Sequence, residues 1–135
     1  MWRRPMGTVE IHKTLDVHSF EDYKSWLGWL EKNHRQEKGI WIKYAKKHTG
    51  LPTISYEDSR EGAIVYGWID GLINTVDDQF YLRKFTPRRA KSNWSKINRE
   101  IAQRLMDKNA MKPSGFQQVM AAKKDGRWDL SLIHI

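Results

Sequence analysis

Two β-rich runs, WIDGLINTV and QFYLRKF, stand on either side of Asp77 and Asp78. Turn-forming residues between runs rich in Ile, Val, Phe and Tyr read as a β-hairpin, and a hairpin restricts the fold more than any other feature of this chain. With Asp77 and Asp78 as the two loop residues, Val76 faces Gln79, Asn74 faces Tyr81, Leu72 faces Arg83 and Asp70 faces Phe85. Side-chain alternation then assigns Ile69, Ile73, Phe80 and Leu82 to the core. It assigns Trp68, Asp70, Asn74, Tyr81, Arg83 and Phe85 to the opposite, mixed face. A one-residue change of register that brought Arg83 to the side of Ile73 would overturn this assignment.

Helical spacing flanks the hairpin. SFEDYKSWLGWLEKNH predicts a helix over 19–34, opened by Ser19 and Asp22 and carrying Phe20, Tyr23, Leu27, Leu30 and His34. IWIKYAKK, 40–47, reads as a strand with Ile40, Ile42 and Tyr44 on one side and Trp41, Lys43 and Ala45 on the other. Ser55 with Asp58 starts a helix whose run Ala63 to Tyr66 implies cover on several sides. Ser95 can cap a helix with Trp94, Ile97, Ile101 and Leu105 at helical spacing, reaching about Asn109, and Pro113 opens a last one, with Phe116, Val119 and Met120, that stops before Gly126. The expected order is α-β-α-β-β-α-α, with room for an extra strand at TVEIH. The fold class is therefore α+β, a small antiparallel hairpin sheet packed by helices.

At 135 residues with 39% hydrophobic and 12% aromatic residues, seven of them Trp, the chain can bury a core despite a mean hydropathy of −0.76. We expect one domain over 1–129. The end, LSLIHI at 130–135, reads as a non-native tail of the kind that a sequencing adapter encodes. The absence of cysteine excludes disulfides and thiolate metal sites and fits a cytoplasmic location; no apolar run is long enough to cross a bilayer.

The charge is concentrated. RKFTPRRAKSNWSKINR, 83–99, holds seven basic residues and no acid, against a net +8 for the chain. Backbone N–H groups at the start of the helix near Ser95 favour an anion at the same place. Asp70, diagonal to Arg83, either orients it as a cross-strand ion pair or lines a ligand pocket with it. The candidate anion-binding residues are Trp68, Asp70, Tyr81, Arg83, Arg88, Arg89, Trp94, Ser95, Lys96 and Asn98. Their convergence on a concave pocket would favour a small ligand, and an open strip a polymer. Nothing matches a nucleophile elbow, phosphate loop, dinucleotide fingerprint or zinc-binding helix, and the five histidines are scattered. No catalytic residue, metal or cofactor is assigned.

GIWIKYAKK, YEDSREGAIVYGWIDG, YLRKFTPRRAKSNWSKINRE and the K-P-S-G to KKDGRW segment together resemble the YdeI/OmpD-associated family, also called bacteriocin-protection proteins, over roughly residues 19–129. The resemblance implies an α+β domain of bacterial type with a stress or bacteriocin-protection role and no known reaction. Three readings follow: a non-enzymatic protein of that kind binding an anionic partner, a nucleic-acid-binding module in which Tyr81, Phe85 or Trp94 stack on bases, and an enzyme using Asp70 and the arginines on a phosphorylated or carboxylated small molecule. Because bacteriocins are often cationic, a +8 protein would repel them. Protection would then run through an acidic envelope component, a nucleic acid or regulation.

Overall fold

The computed structural model describes residues 15–129, so TVEIH and LSLIHI lie outside the described residues. The order is β1 (Val17–His18), α1 (Tyr23–Asn33), β2 (Ile40–Ala45), a 3-10 turn, α2 (Tyr56–Val65), β3 (Trp68–Thr75), β4 (Phe80–Pro87), α3 (Lys96–Asp107) and α4 (Pro113–Lys124). The fold is α+β, with one four-stranded sheet in the order β1-β2-β4-β3. β1 runs parallel to β2, and β4 lies antiparallel to both β2 and β3. The short β1 is an addition to the expected order.

Local chemistry sets the helix starts. Ser55 Oγ accepts from Asp58 N, Ser95 Oγ accepts from Asn98 N and Pro113 occupies the first turn of α4. α1 is a correction. It is capped by Asp22, which accepts from Ser25 N at 2.9 Å, rather than by Ser19. The reason lies across the molecule: Phe20 is buried and its carbonyl accepts from Ile54 N, which draws that backbone out of a helix.

The hairpin register differs from the expected one in an informative way. The loop is Asp77–Gln79 rather than two residues, because Asp77 Oδ1 accepts from both Gln79 N and Phe80 N. This sets Ile73 opposite Arg83 and Thr75 opposite Tyr81. An irregularity between Asp70 and Ile73 then restores the expected pair Asp70 and Phe85. The face assignment is overturned, because this register brings Arg83 to the side of Ile73: Phe85 and Trp68 are fully buried, whereas Ile69, Phe80 and Leu82 are half-buried and Ile73 is exposed. The hairpin's inner face is the mixed one, which α1 and α2 cover, and its distal half, residues 71–79, is exposed throughout.

The core centres on Trp26 and Leu30 of α1, Ile40, Ile42 and Tyr44 of β2, Ala63 to Val65 of α2, Trp68 and Phe85. Trp26 donates its indole N–H to Ser59 O at 2.8 Å and packs edge-on to Phe85. Contrary to the expected apolar line, Ile97 of α3 is exposed, as are Phe116 and Met120 of α4. α4 instead buries its small residues Gly115 and Ala122 with Val119. It approaches α2 so closely that a Cβ on Gly115 would stand 2.6 Å from Ile64 O.

Candidate functional site

Two arginine clusters rise from the inner face of the hairpin and its exit. In the first, β3 and β4 set Asp70 and Arg83 on one face, and Arg83 Nη1 donates to Asp70 Oδ2 at 3.3 Å. Tyr56, in the first turn of α2, donates its hydroxyl to the same oxygen at 2.6 Å, and its ring lies 4.1 Å beneath the Arg83 guanidinium. Burial, then the bond to Asp70 and its charge, push the Tyr56 phenol above its ordinary range. The irregularity at Gly71–Leu72 accounts for the survival of this pair: Asp70 keeps its place beside Phe85 although the strand beyond it has moved by one residue.

The second cluster follows Pro87. Arg88 N donates to Gly67 O at 2.9 Å, which holds the chain against the start of β3, and Gly67 itself needs the left-handed backbone, φ +81°, in which it turns out of α2. The Arg88 side chain is only 5% exposed. Its guanidinium lies 3.6 Å over the ring of Trp94, also buried, and Nη1 donates to Ser92 Oγ at 3.1 Å and Asn93 O at 3.2 Å. Arg127 reaches the same loop, donating from Nη1 to Ser92 O and from Nε to both oxygens of Asp125. The ring of Trp128 lies 5.1 Å from that of Trp94.

The donors of this second cluster exceed its acceptors. Arg88 Nε and Nη2, Arg127 Nη2 and Trp94 Nε1 are buried without a hydrogen-bond partner. In Arg88 the two free atoms form one edge of the planar guanidinium, the edge that offers two parallel N–H bonds to a carboxylate or phosphate. Burial draws the Arg88 pKa down to about 10, the charge of Asp70 opposes the shift, and the like charge of Arg127 adds to it. The guanidinium therefore remains a cation at neutral pH, without a carboxylate bonded to it.

The predicted site residues divide accordingly. Asp70, Tyr81 and Arg83 share a face, through the irregularity between Asp70 and Ile73 and not through the expected register, and Tyr81 is stacked on Tyr44. Arg88 and Trp94 form the second cluster. Trp68 belongs to the core, edge-on to Trp29, and does not line a site. Arg89 and Lys96 are exposed, and Ser95 and Asn98 are joined in the helix cap. The sequence reading missed Tyr56, Ser92 and Arg127. Only Arg127 carried a signal, as a lone Arg between Gly126 and Trp128. A separate groove of about 530 Å³ between α2 and α3 is lined by Glu57, Arg60, Glu61, Ile97, Glu100, Ile101 and Arg104. Its charges are of both signs, with Arg104 and Glu61 paired at 3.0 Å. Among the described residues no group of His, Cys, Asp or Glu could hold a metal, and no helix is long and apolar enough to cross a membrane.

Fold and site thus define a small α+β domain with two arginine clusters: in one, part-buried, a carboxylate pairs with Arg83, whose Nε stays unpaired, and in the other Arg88 is buried with no carboxylate bonded to it and one whole guanidinium edge unpaired. A family model, domain of unknown function (DUF8412), matches residues 18–118, and the chain belongs to that family. Arg127 and Trp128 lie beyond the matched span. Comparisons with curated proteins and with solved structures give no match.

Proposed function

We propose that this domain is a non-enzymatic binding module for an oxyanion, a carboxylate or a phosphate, held on the free edge of Arg88. The observation that carries the reading is that both N–H groups of that edge lack an acceptor in a guanidinium removed from water. Each buried donor left unpaired costs about 1–3 kcal/mol, and more on a charged group, so an anion that pairs both at once is strongly favoured there. The edge itself is covered, so entry of an anion requires a local movement of the residues around Arg88.

Titration with phosphate and with acetate at low salt, followed by Trp fluorescence and calorimetry, tests this. Trp94 beneath the guanidinium should respond, and Arg88→Lys, which keeps the charge but loses the fork, should weaken binding at least about tenfold. Silence of the native protein towards both anions would sink the reading.

A second reading, nucleic-acid binding, is favoured by the exposure of Arg89, Lys91 and Lys96 beside one another in the chain. Burial of Phe85 and Trp94 leaves it without those two stacking surfaces. Binding to a single-stranded oligonucleotide that falls by about 0.7 log units per contacted phosphate for each tenfold rise in salt, and that Arg89→Ala weakens while Arg88→Lys does not, would select it. The protective role implied by the YdeI/OmpD-associated resemblance would work through such an anionic partner, and a chemical role for Asp70 and Arg83 would require a substrate to displace their own pairing.

A further inference from the structure

The unpaired atoms around Arg88 are all of one kind. Arg88 Nε and Nη2, Arg127 Nη2 and Trp94 Nε1 are N–H donors, and none of the buried unpaired side-chain atoms of this cluster is an acceptor. The acceptors bonded within it are already engaged. Ser92 Oγ and Asn93 O accept from Arg88, while Ser92 O and both carboxylate oxygens of Asp125 accept from Arg127. Asp70, the carboxylate whose charge reaches Arg88, is held by Tyr56 and Arg83.

Such an imbalance restricts the occupant more than charge alone does. A water molecule brings two protons that themselves need acceptors. A hydroxyl on an anion raises the same difficulty, since an O–H aimed at an N–H leaves both donors unpaired, with the penalty of any buried polar group without a partner. An oxygen without a proton meets no such penalty. Carboxylate and sulfate present only oxygens of that kind at neutral pH, whereas inorganic phosphate keeps at least one P–OH. Resting on the oxyanion reading, we infer that the Arg88 cluster selects an oxyanion that carries no proton, a carboxylate or a sulfate, and discriminates against inorganic phosphate. The selection comes from what the cluster lacks: a free carboxylate beside Arg88 would accept the P–OH, but Asp125 is taken up by Arg127 Nε. Specificity of this sort lies in an unfavourable pairing with the wrong ligand, with no added contact to the right one.

Calorimetric titration of the full chain at mildly alkaline pH, with ionic strength held constant by chloride, tests the selection. Under these conditions sulfate and hydrogen phosphate are tetrahedral dianions of similar size that differ by one proton. Monofluorophosphate, in which fluorine takes the place of the hydroxyl, is the third probe. Sulfate and monofluorophosphate should each bind at least about tenfold more tightly than phosphate. Arg88→Lys, with folding checked by circular dichroism, should weaken sulfate at least about tenfold. Equal affinity for sulfate and phosphate, lost together in Arg88→Lys, would overturn the selection and leave the oxyanion reading standing. Tight sulfate beside weak monofluorophosphate would overturn it too, because the proton would then not be what decides. A sulfate preference that survives Arg88→Lys would belong elsewhere on this basic chain and would equally refute the inference. Silence towards sulfate, monofluorophosphate and acetate alike would sink the oxyanion reading itself and the inference with it.

Discussion

Arg88 is a charge taken out of water without a bonded carboxylate, and such a group is retained at a cost in stability. Replacing it with Met, of similar length and without charge, should leave the melting temperature unchanged or raise it while removing the response of Trp94 fluorescence to anions. A loss of several degrees would instead mean that the bonds to Ser92 and Asn93 make Arg88 a structural anchor. Its burial is the part that the sequence could not disclose. RKFTPRRAKSN looks like a run of solvated charge, and the ring of Trp94 under Arg88 and the bond of Arg127 to Ser92 are arranged by the fold. The pairing of Asp70 with Arg83 was legible because it needs only two neighbouring strands; Tyr56 joins it from a different element and was not.

Among the elements, starts and kinds were readable where a short-range bond decides them, as at Ser55, Ser95 and Pro113, and the buried faces were not. α4 shows why. Its large apolar residues Phe116 and Met120 suggested the inward side, yet close approach to α2 selects the small ones. Gly115→Ala should therefore cost about 1–3 kcal/mol in urea unfolding, since the added methyl would meet Val65 O and Ile64 O, which are backbone and cannot swing aside. An unchanged unfolding midpoint would show that α4 can slide away at no cost. The hairpin teaches a related lesson. Its wrong face came from one extra loop residue, and the compensating irregularity at Gly71–Leu72 leaves no mark that alternation can detect.

The molecule as a whole carries a signature in alkaline solution. Four of its five tyrosines, Tyr23, Tyr44, Tyr56 and Tyr66, have phenol pKa values raised in the fold, in each case chiefly by burial. A folded pKa above the unfolded value of about 10 gives stability that is complete below that pH and is lost above it. Arg88 opposes this trend, because its depressed pKa relieves the cost of its burial over the same range. With four groups against one, unfolding and the bulk of phenolate absorbance should arrive together as the pH rises beyond 10. Most of the phenolate appearing while circular dichroism is still native would contradict the burial of those rings. The distance along the chain between Arg88 and its companions has a consequence during synthesis. A ribosome delivers the whole hairpin, α3 and α4 before Arg127 and Trp128, so Arg88 and Trp94 are made before the bond of Arg127 to Ser92 and the ring of Trp128 can join them.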